Sequence, residues 1–184
     1  MLMDAARSFL LVIDVQEKLL PVMEDPDTVV CNGKILLEAA GHLSVPVLVS
    51  EQYPKGIGAT VPALAAKLPA NATMEKLAFS CVAEETCVAR IQKAGAAQNR
   101  SQAIVFGIEA HVCVLQTVIE LLGEGYQVFV VADAVSSRMA ENAHLALDRM
   151  ASAGAMVVST EMVVFEWLRR AGTDAFKTLS KLIK

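Results

Sequence analysis

Cys113 is the residue whose type and position point most directly to chemistry. It follows the apolar segment 101–107 across a short turn and lies at the start of residues 112–123, whose apolar positions recur at helical spacing. The start of a helix carries partial positive charge and free backbone N–H groups, which favour a thiolate and predict a lowered pKa for this thiol. The same N–H groups can bind an oxyanion when a thiolate attacks a carbonyl. The alternative is a small buried side chain without chemistry, as most free cysteines are.

Asp14 and Lys76 are the charged residues that could assist such a nucleophile. Asp14 ends the apolar segment 8–13, where a carboxylate is costly unless it is paired, and it could accept the thiol proton and return it to a leaving group. Lys76 follows a short predicted strand, and an ammonium there would stabilise both other groups in their anionic forms. Each has a plain alternative, since Asp14 could be a cap or loop carboxylate and Lys76 a solvated surface charge.

The remaining cysteines and the histidine beside Cys113 are weaker candidates. Cys31 falls inside a predicted helix, and Cys81 and Cys87 are interpreted as structural. His111 lies two residues before Cys113, and side chains at that spacing on a helix do not face each other. A catalytic Cys–His pair is therefore not predicted, and His111 is assigned a minor role.

Alternating strands and helices must position these residues. The strands are short and almost continuously apolar, and are predicted at 8–13, 45–50, 72–75, 101–107, 126–133 and 155–159. Helices are predicted at 28–43, 61–68, 84–95, 112–123, 140–152, 160–169 and 173–183, with a loop at 51–60. This alternation indicates a parallel sheet covered on both faces. The sequence thus predicts one α/β domain over residues 1–184, a three-layer doubly wound fold with a six-stranded, mainly parallel sheet.

The carboxyl ends of the predicted strands carry the candidate residues. Asp14, Lys76 and Cys113 each come shortly after a strand. In open α/β sheets, ligands bind in the crevice beyond the carboxyl ends of the strands. We therefore expect these three side chains to gather at one end of the sheet.

Composition and charge limit the function classes. Hydrophobic residues make up 54% of the chain and charged residues 20%, which excludes disorder. The net charge is −4 and the pI about 5.4, so no nucleic-acid partner and no membrane partner are expected. No apolar run is long enough to span a bilayer, and no basic segment precedes the first apolar one, so no secretory signal is expected. With no Cys-x-x-Cys pair among four cysteines, reduced thiols and a cytoplasmic location are expected.

Several segments resemble the isochorismatase-like family of cysteine hydrolases, which includes nicotinamidases and other amidases. The matching segments are LVIDVQ (11–16), EKLAFS (75–80) and GIEAHVCVLQT (107–117), with a looser match in ADAVSSR (132–138). Their order and spacing agree with the family over essentially the whole domain. The segments EQYPKGIG and GIEAHVCV look most similar to the branch called isochorismatase domain-containing proteins.

The resemblance implies a mechanism and its residues. Asp14, Lys76 and Cys113 match the family's catalytic triad. In such enzymes the cysteine attacks a carbonyl, and the resulting thioester-type acyl-enzyme is hydrolysed by water. The resemblance also implies a six-stranded parallel sheet, and a homo-oligomer is expected because these are common in the family.

The resemblance further implies an unusual backbone just before the nucleophile. A non-proline cis peptide is expected between Ile108 and Glu109. These two residues and Val112 are assigned to the cis-peptide and oxyanion region of the site.

The segment after the second predicted strand departs from the nicotinamidase members. Those members carry an Asp-x-His and a further His there and bind a metal with them, whereas residues 51–55 read EQYPK. The three histidines of the chain, at positions 42, 111 and 144, are too scattered to assemble a metal site. We therefore expect no metal and no cofactor. Because Cys113 is retained, hydrolysis of an amide or related C–N bond is expected rather than cleavage of the isochorismate vinyl ether.

The expected substrate is a small molecule in a small pocket. Tyr53 and Phe79 are predicted to line this pocket, and Gln16 and Gln52 to orient a polar group of the substrate. Ordinary core packing is the alternative for Phe79. For the protein as a whole, the alternative is a catalytically silent interaction or regulatory protein that retains the fold.

Overall fold

Six strands form one sheet in which every pair of neighbouring strands is parallel. The computed structural model describes residues 1–96 and 99–183, so positions 97, 98 and 184 of the predicted domain lie outside the described residues. The strands are β1 (Ser8–Ile13), β2 (Val47–Gln52), β3 (Thr73–Lys76), β4 (Gln102–Ile108), β5 (Gln127–Ser136) and β6 (Met156–Val158). Their order in the sheet is β3-β2-β1-β4-β5-β6. The predicted α/β fold with a six-stranded parallel sheet is confirmed.

Helices cover both faces of this sheet. They are α1 (Pro26–His42), α2 (Pro54–Ile57), α3 (Pro62–Ala65), α4 (Glu85–Ala96), α5 (Leu115–Gly123), α6 (Ala140–Ser152), α7 (Thr160–Leu168) and α8 (Asp174–Leu179). Residues of α1, α3, α7 and α8 pack into the apolar core on one face, and residues of α4, α5 and α6 into the core on the other. Short 3₁₀ turns lie at Ala5–Arg7 and Leu20–Val22. Within the described residues, no helix combines the length and apolar character needed to cross a bilayer.

The central strand β1 shows why the sheet needs continuous apolar segments. All of its residues are buried, and successive side chains of a strand point to opposite faces. Leu10 and Val12 belong to the core on the α1 side, whereas Phe9 and Leu11 belong to the core on the α4–α6 side. Burying one such side chain stabilises the fold by about 1.5–3 kcal/mol. A strand with one polar face would lose this contribution on one side of the sheet.

Some element ends differ from the sequence predictions. Strand β3 runs to Lys76, so this residue ends the strand instead of lying in the following turn. The predicted loop 51–60 contains the end of β2 and the short helix α2. The last helix, predicted over 173–183, is limited to α8, and its buried Leu179 packs it onto the core beside α1 and α7. The ends of β2 and β3 were missed because polar residues can continue a strand when a neighbouring strand supplies the hydrogen bonds.

Strand β5 is longer than predicted and is irregular. It continues past Asp133, where the sequence suggested an end, to Ser136. Its register with β4 shifts between Val105 and Gly107. The Asp133 carboxylate accepts hydrogen bonds of 2.8 Å from the N–H and the hydroxyl of Thr160, which begins α7. A charged residue is therefore accommodated within the strand by a helix that is distant in sequence.

Gly107 lets β4 approach β1 closely just before the turn that leads to Cys113. Its φ angle is +137°, a region that residues with a side chain rarely adopt. A Cβ atom at this position would lie 2.1 Å from the carbonyl oxygen of Ile13. Because that oxygen belongs to the backbone of the central strand, no side-chain rotation could relieve the overlap.

Replacement of Gly107 by alanine is expected to be severely destabilising. Gly107→Ala should lower the free energy of unfolding by more than about 3 kcal/mol, because it combines a strained φ with a backbone overlap. Gly123→Ala is the matched control, since a Cβ at Gly123 meets nothing within 4 Å and should be neutral or slightly stabilising. Urea unfolding followed by circular dichroism measures both variants. Equal stability of the two would contradict this account of the β1–β4 approach.

Candidate active site

The three residues predicted to act together lie at the carboxyl ends of three strands. Asp14 directly follows β1, and Lys76 is the last residue of β3. Cys113 lies in a π-helical turn, Ala110–Val114, between β4 and α5. Such turns are often found at functional sites. The strand order reverses between β1 and β4, and this reversal opens a crevice where ligands bind in sheets of this kind.

Asp14 and Lys76 form a fully buried ion pair. Lys76 Nζ lies 2.8 Å from Asp14 Oδ2, and neither side chain is exposed to solvent. The other carboxylate oxygen, Oδ1, accepts a hydrogen bond of 2.7 Å from the Ser50 hydroxyl. Taking two charges out of water costs several kcal/mol per ion, and only close geometry with further hydrogen bonds offsets that cost. The structure supplies both at this position.

The Lys76 ammonium is surrounded by acceptors. Besides Asp14, it donates to Gln52 Oε1 at 2.7 Å and to the carbonyl oxygens of Phe79 at 2.9 Å and Ala78 at 3.2 Å. Burial acts to lower the pKa of Lys76, but the negative charge of Asp14 and the hydrogen bond with it outweigh this effect, and the pKa is raised. The lysine therefore stays positively charged and can stabilise anions at the site.

Glu84 supports the site and was missed by the sequence analysis. Its carboxylate accepts hydrogen bonds from the N–H groups of Leu77 at 3.0 Å and Ala78 at 3.4 Å. These bonds, the Leu77 bond first, lower the pKa of Glu84. They hold the turn after β3 in the shape that presents the Ala78 and Phe79 carbonyls to Lys76. The only signal in the sequence is an acidic residue at the start of the predicted helix 84–95, where acidic residues are common.

Cys113 is buried, and its thiol pKa is raised instead of lowered. The residue is 6% exposed, and the pKa of its thiol is raised to about 12, first by burial and then by the Asp14 carboxylate, with Lys76 opposing. The sequence prediction of a lowered pKa was wrong, because it considered the helix start without the burial and the neighbouring carboxylate. At neutral pH the thiol is therefore protonated, and the charge of the Asp14 carboxylate acts on it. Asp14 is thus placed to accept the thiol proton.

The turn before Cys113 contains a cis peptide where the resemblance implies one. The bond between Ile108 and Glu109 is cis. The N–H of Val112 already donates to the carbonyl oxygen of Glu109 at 3.1 Å. Val112 could bind an oxyanion only if this hydrogen bond were shared or broken. The oxyanion roles of Ile108, Glu109 and Val112 stay predictions.

The side chains of Glu109 and His111 contact neighbours other than Cys113. Arg138 Nε lies 3.0 Å from Glu109 Oε1, and His111 Nε2 lies 3.5 Å from Glu109 Oε2. His111 Nδ1 lies 2.9 Å from the Ser137 hydroxyl. These contacts give His111 partners of its own and agree with the minor role assigned to it.

Gln16 and Gln52 are engaged by the protein itself. Gln16 Nε2 donates to the carbonyl oxygens of Gln52 at 3.0 Å and Gly58 at 2.6 Å, and Gln16 Oε1 accepts from the Gln52 N–H at 2.7 Å. Gln52 Oε1 accepts from Lys76, and Gln52 Nε2 donates to the Leu77 carbonyl at 2.8 Å. Both amides therefore hold the ends of the strands together, and their predicted contact with a substrate stays a prediction.

Tyr53 and Phe79 are large exposed side chains beside the buried ion pair. Tyr53 is 51% and Phe79 54% exposed, which excludes core packing as the role of Phe79. A cleft of about 250 Å³ lies against Lys76; its lining residues are Tyr53, Pro54, Lys55, Glu75, Lys76, Leu77 and Glu84. The prediction that Tyr53 lines a pocket agrees with this cleft, whereas Phe79 and Cys113 are not among its lining residues.

The acidic and thiol groups are not arranged as a metal centre in residues 1–96 and 99–183. No group of three or more His, Cys, Asp or Glu side chains there could hold a metal ion. At the site itself, both Asp14 oxygens are occupied, one by Lys76 and the other by Ser50. Independence from a metal stays a prediction.

Sequence comparison relates nearly the whole chain to known proteins. The isochorismatase domain model matches residues 8–162. The secreted isochorismatase effector Isc1 of Phytophthora sojae is 39% identical over 180 residues, which cover 96% of this chain and 84% of that protein. Isochorismatase domain-containing protein 1 of Danio rerio is 35% identical over 185 residues, covering 99% of this chain but 62% of that protein. The chain thus spans less than two thirds of the length of this second relative.

Solved structures of similar proteins share the fold closely. MAR1 ribonuclease from Caenorhabditis elegans has a TM-score of 0.90 at 36% identity, covering 100% of this chain and 92% of that chain. YcaC from Pseudomonas aeruginosa, solved with hexane-2,5-diol and covalent acrylamide, has a TM-score of 0.89 at 26% identity, covering 98% and 91%. The YcaC gene product of Escherichia coli, described as an octameric hydrolase of unknown specificity, has a TM-score of 0.88 at 28% identity, covering 98% and 90%.

Removal of one partner from the buried ion pair should strongly destabilise the protein. Lys76→Met and Asp14→Asn should each lower the free energy of unfolding by about 3–5 kcal/mol, because each leaves buried polar groups without their partner. The double variant should lose less than the sum of the two. Urea unfolding measures the three variants, with Lys67→Met as control, since its pair with Glu38 is partly exposed and should cost less than about 1 kcal/mol. Strictly additive losses would show that the two charges do not stabilise each other.

The raised pKa of Cys113 predicts how its alkylation depends on pH. The rate of modification by iodoacetamide should keep rising well above pH 9, because the thiolate fraction still increases toward the pKa of about 12. Asp14→Asn should accelerate the reaction at pH 8, because the carboxylate that raises the pKa is removed. Peptide mass spectrometry measures modification of Cys113 separately from the exposed Cys31. A rate that already levels off near pH 8 in the wild-type protein would contradict the prediction.

Proposed function

The chain belongs to the isochorismatase family, and on that basis we propose that it is a metal-independent cysteine hydrolase that cleaves the C–N bond of a small amide through an acyl-enzyme on Cys113. One observation carries the proposal: the buried Asp14 carboxylate interacts with both the Lys76 ammonium, at 2.8 Å, and the Cys113 thiol. A nucleophile, a proton acceptor and a fixed positive charge therefore meet where little solvent is present. This combination suits acyl transfer. Burying the two charges costs desolvation free energy, and no structural role that would require this cost is evident.

In the first half-reaction, Asp14 accepts the thiol proton as Cys113 Sγ attacks the amide carbonyl. With a pKa of about 12 the thiol is a poor nucleophile by itself at neutral pH, so a base must take the proton during the attack. The C–N bond then breaks, and the leaving nitrogen receives that proton from Asp14. The products of this step are a neutral amine and a thioester between the acyl group and Cys113.

In the second half-reaction, water hydrolyses the thioester. Asp14 takes a proton from the attacking water, the C–S bond breaks, and the proton passes to the departing sulfur. The carboxylic acid leaves and the protonated thiol is restored. Throughout the cycle, Lys76 stabilises the negative charge that moves between Asp14 and Cys113, since it contacts the first and lies near the second.

Two similar proteins support a reactive nucleophile on this fold. YcaC of P. aeruginosa carries covalently bound acrylamide, which is both an amide and an electrophile toward thiols, and the E. coli YcaC product is described as a hydrolase. The latter is also octameric, which supports a homo-oligomer for this chain. Neither name identifies a natural substrate, so a small amide is the substrate class that we propose. A cytoplasmic location is retained as part of the proposal.

Ribonuclease activity is a second candidate because similar proteins carry that name. The C. elegans protein, 36% identical to this chain, is named a ribonuclease. The net charge of −4 argues against it, because affinity for nucleic acid rests mainly on basic residues that neutralise phosphates. The test described below includes RNA for this reason.

Substitution of the nucleophile is expected to abolish amide hydrolysis and to leave the fold intact. A panel of small primary and secondary amides is screened for amine release with the wild-type protein, and an acyl adduct on Cys113 is sought by mass spectrometry after acid quench. Cys113→Ser and Cys113→Ala should each lower kcat at least about 10³-fold, because the acyl-enzyme cannot form efficiently. Asp14→Asn should also lose turnover, although its Cys113 is alkylated faster, since the base is missing.

Matched controls separate the proposed function from its alternatives. Cys31→Ser changes an exposed thiol and should keep full activity, and exhaustive treatment with a chelator should have no effect. Full activity of the Cys113 variants would refute the mechanism. Absence of both turnover and acyl adduct across the panel would favour a silent interaction protein. Degradation of RNA by the wild-type protein but not by Cys113→Ala would favour the ribonuclease.

A further inference from the structure

A cluster of charged and polar side chains lies beside the turn that carries Cys113, and the proposed mechanism does not use it. Arg138 Nε lies 3.0 Å from Glu109 Oε1, and Arg138 Nη2 donates a hydrogen bond of 3.2 Å to Glu109 Oε2. His111 Nε2 lies 3.5 Å from the same Oε2 atom, and His111 Nδ1 lies 2.9 Å from the Ser137 hydroxyl. The Glu109 carboxylate is therefore held by two contacts from one guanidinium and by a third from an imidazole.

The backbone of Glu109 fixes the turn itself. Its carbonyl oxygen accepts hydrogen bonds from the N–H groups of Val112 at 3.1 Å and Val114 at 3.2 Å. These two residues flank Cys113 in the chain, so the orientation of the nucleophile depends on where Glu109 lies. The position matters because a misplacement of about 1 Å at a reacting group can lower a rate about 100-fold.

The groups that hold the Glu109 side chain belong to a segment that is fixed independently of the turn. Ser137 and Arg138 directly follow β5, which pairs with β4 up to the end of both strands. Ser137 is fully buried, and its carbonyl oxygen accepts a hydrogen bond of 2.9 Å from the N–H of Glu24. The Arg138 side chain is 59% exposed, whereas that of Glu109 is 12% exposed. A solvent-facing cation thus holds a carboxylate that is almost covered.

We propose that Arg138 is a positioning residue, which acts through Glu109 to hold the Cys113 thiol in its buried position. Because the guanidinium is exposed, solvent screens the ion pair, and its contribution to global stability is small. The pair does fix a geometry, because a guanidinium that contacts both carboxylate oxygens leaves the carboxylate little rotational freedom. The inference deepens the proposed function and rests on it for the effect on turnover, whereas its effect on the thiol does not depend on hydrolysis.

Loss of the Arg138 contacts should expose the Cys113 thiol. The residue is 6% exposed, and burial and the Asp14 carboxylate raise the pKa of its thiol to about 12. In Arg138→Gln the turn is free to move away from both influences, so we expect iodoacetamide to modify Cys113 at least about 10-fold faster at pH 8. A direct effect of the lost positive charge would act in the opposite direction, because removal of a cation disfavours a thiolate.

Timed alkylation of the full chain, followed by peptide mass spectrometry, measures this change. Arg149→Gln is the matched control, because Arg149 is an exposed arginine of α6, and this variant should keep the wild-type rate. The fully buried Cys87 reports global opening in the same digest and should stay unmodified in every variant. The proposal is overturned if Arg138→Gln leaves the Cys113 rate unchanged. It is also overturned if Cys87 is modified as fast as Cys113, because the pair would then serve the stability of the whole fold.

Conservative and double variants test whether Arg138 acts through Glu109. Arg138→Lys keeps the charge but loses the fork of donors, so it should restore only part of the wild-type behaviour. Glu109→Gln should accelerate alkylation as Arg138→Gln does, and the double variant should be no faster than the faster single variant, because both changes remove the same contact. Accelerations that multiply in the double variant would contradict the proposal, since Arg138 would then act by another route.

Turnover separates a positioning role from substrate binding. With an amide that the wild-type protein hydrolyses, Arg138→Gln should lower kcat about 10- to 100-fold and leave KM nearly unchanged, because the nucleophile is misplaced while the substrate contacts are kept. A raised KM with an unchanged kcat would show that Arg138 binds the substrate, and the inference would be wrong. If no amide is hydrolysed, the hydrolase proposal fails, but the alkylation rates still decide the role of Arg138. The two failures are therefore distinguishable.

Discussion

The buried ion pair between Asp14 and Lys76 is the interaction on which the rest of the site depends. Two charges without solvent exposure, 2.8 Å apart, are stable only when the surrounding groups satisfy their remaining hydrogen-bonding capacity. Ser50 and Gln52 at the end of β2 do this directly. Glu84 contributes indirectly, because it holds the turn after β3 whose carbonyl oxygens accept hydrogen bonds from Lys76. The carboxyl ends of β1, β2 and β3 must therefore lie in register for the pair to exist.

The same pair determines the chemistry available to Cys113. In a site where a cation alone faced the thiol, the thiolate would be favoured and the nucleophile would be ready before the substrate arrived. Here the Asp14 carboxylate and burial together raise the pKa of Cys113 to about 12 against the effect of Lys76. The thiol stays protonated, and the Asp14 carboxylate acts on it as a neighbouring negative charge. In the mechanism that we propose, attack by Cys113 is therefore coupled to proton transfer, which would restrain side reactions of the free protein with electrophiles.

The two charges also influence the pKa values of the buried thiols of Cys81 and Cys87. Lys76 contributes to the lowered pKa of Cys87, and Asp14 contributes to the raised pKa of Cys81. One ion pair thus acts on thiols in two settings, the protonated Cys113 in the crevice and two buried thiols in the core. Both effects arise because the apolar surroundings screen charges weakly, so a single charge acts on several neighbouring groups.

The sequence by itself determined the parallel sheet and the residues whose side chains could take part in chemistry. Continuous apolar segments alternating with helical periodicity predict buried parallel strands, and Asp14, Lys76 and Cys113 stand at strand ends, because both features depend on local order along the chain. Only the tertiary structure decided that Gln16 holds the backbone of β2 through hydrogen bonds, and that the pKa of Cys113 is raised. Burial and the distance to another charge depend on segments that meet only after folding, and no spacing in a single sequence encodes them.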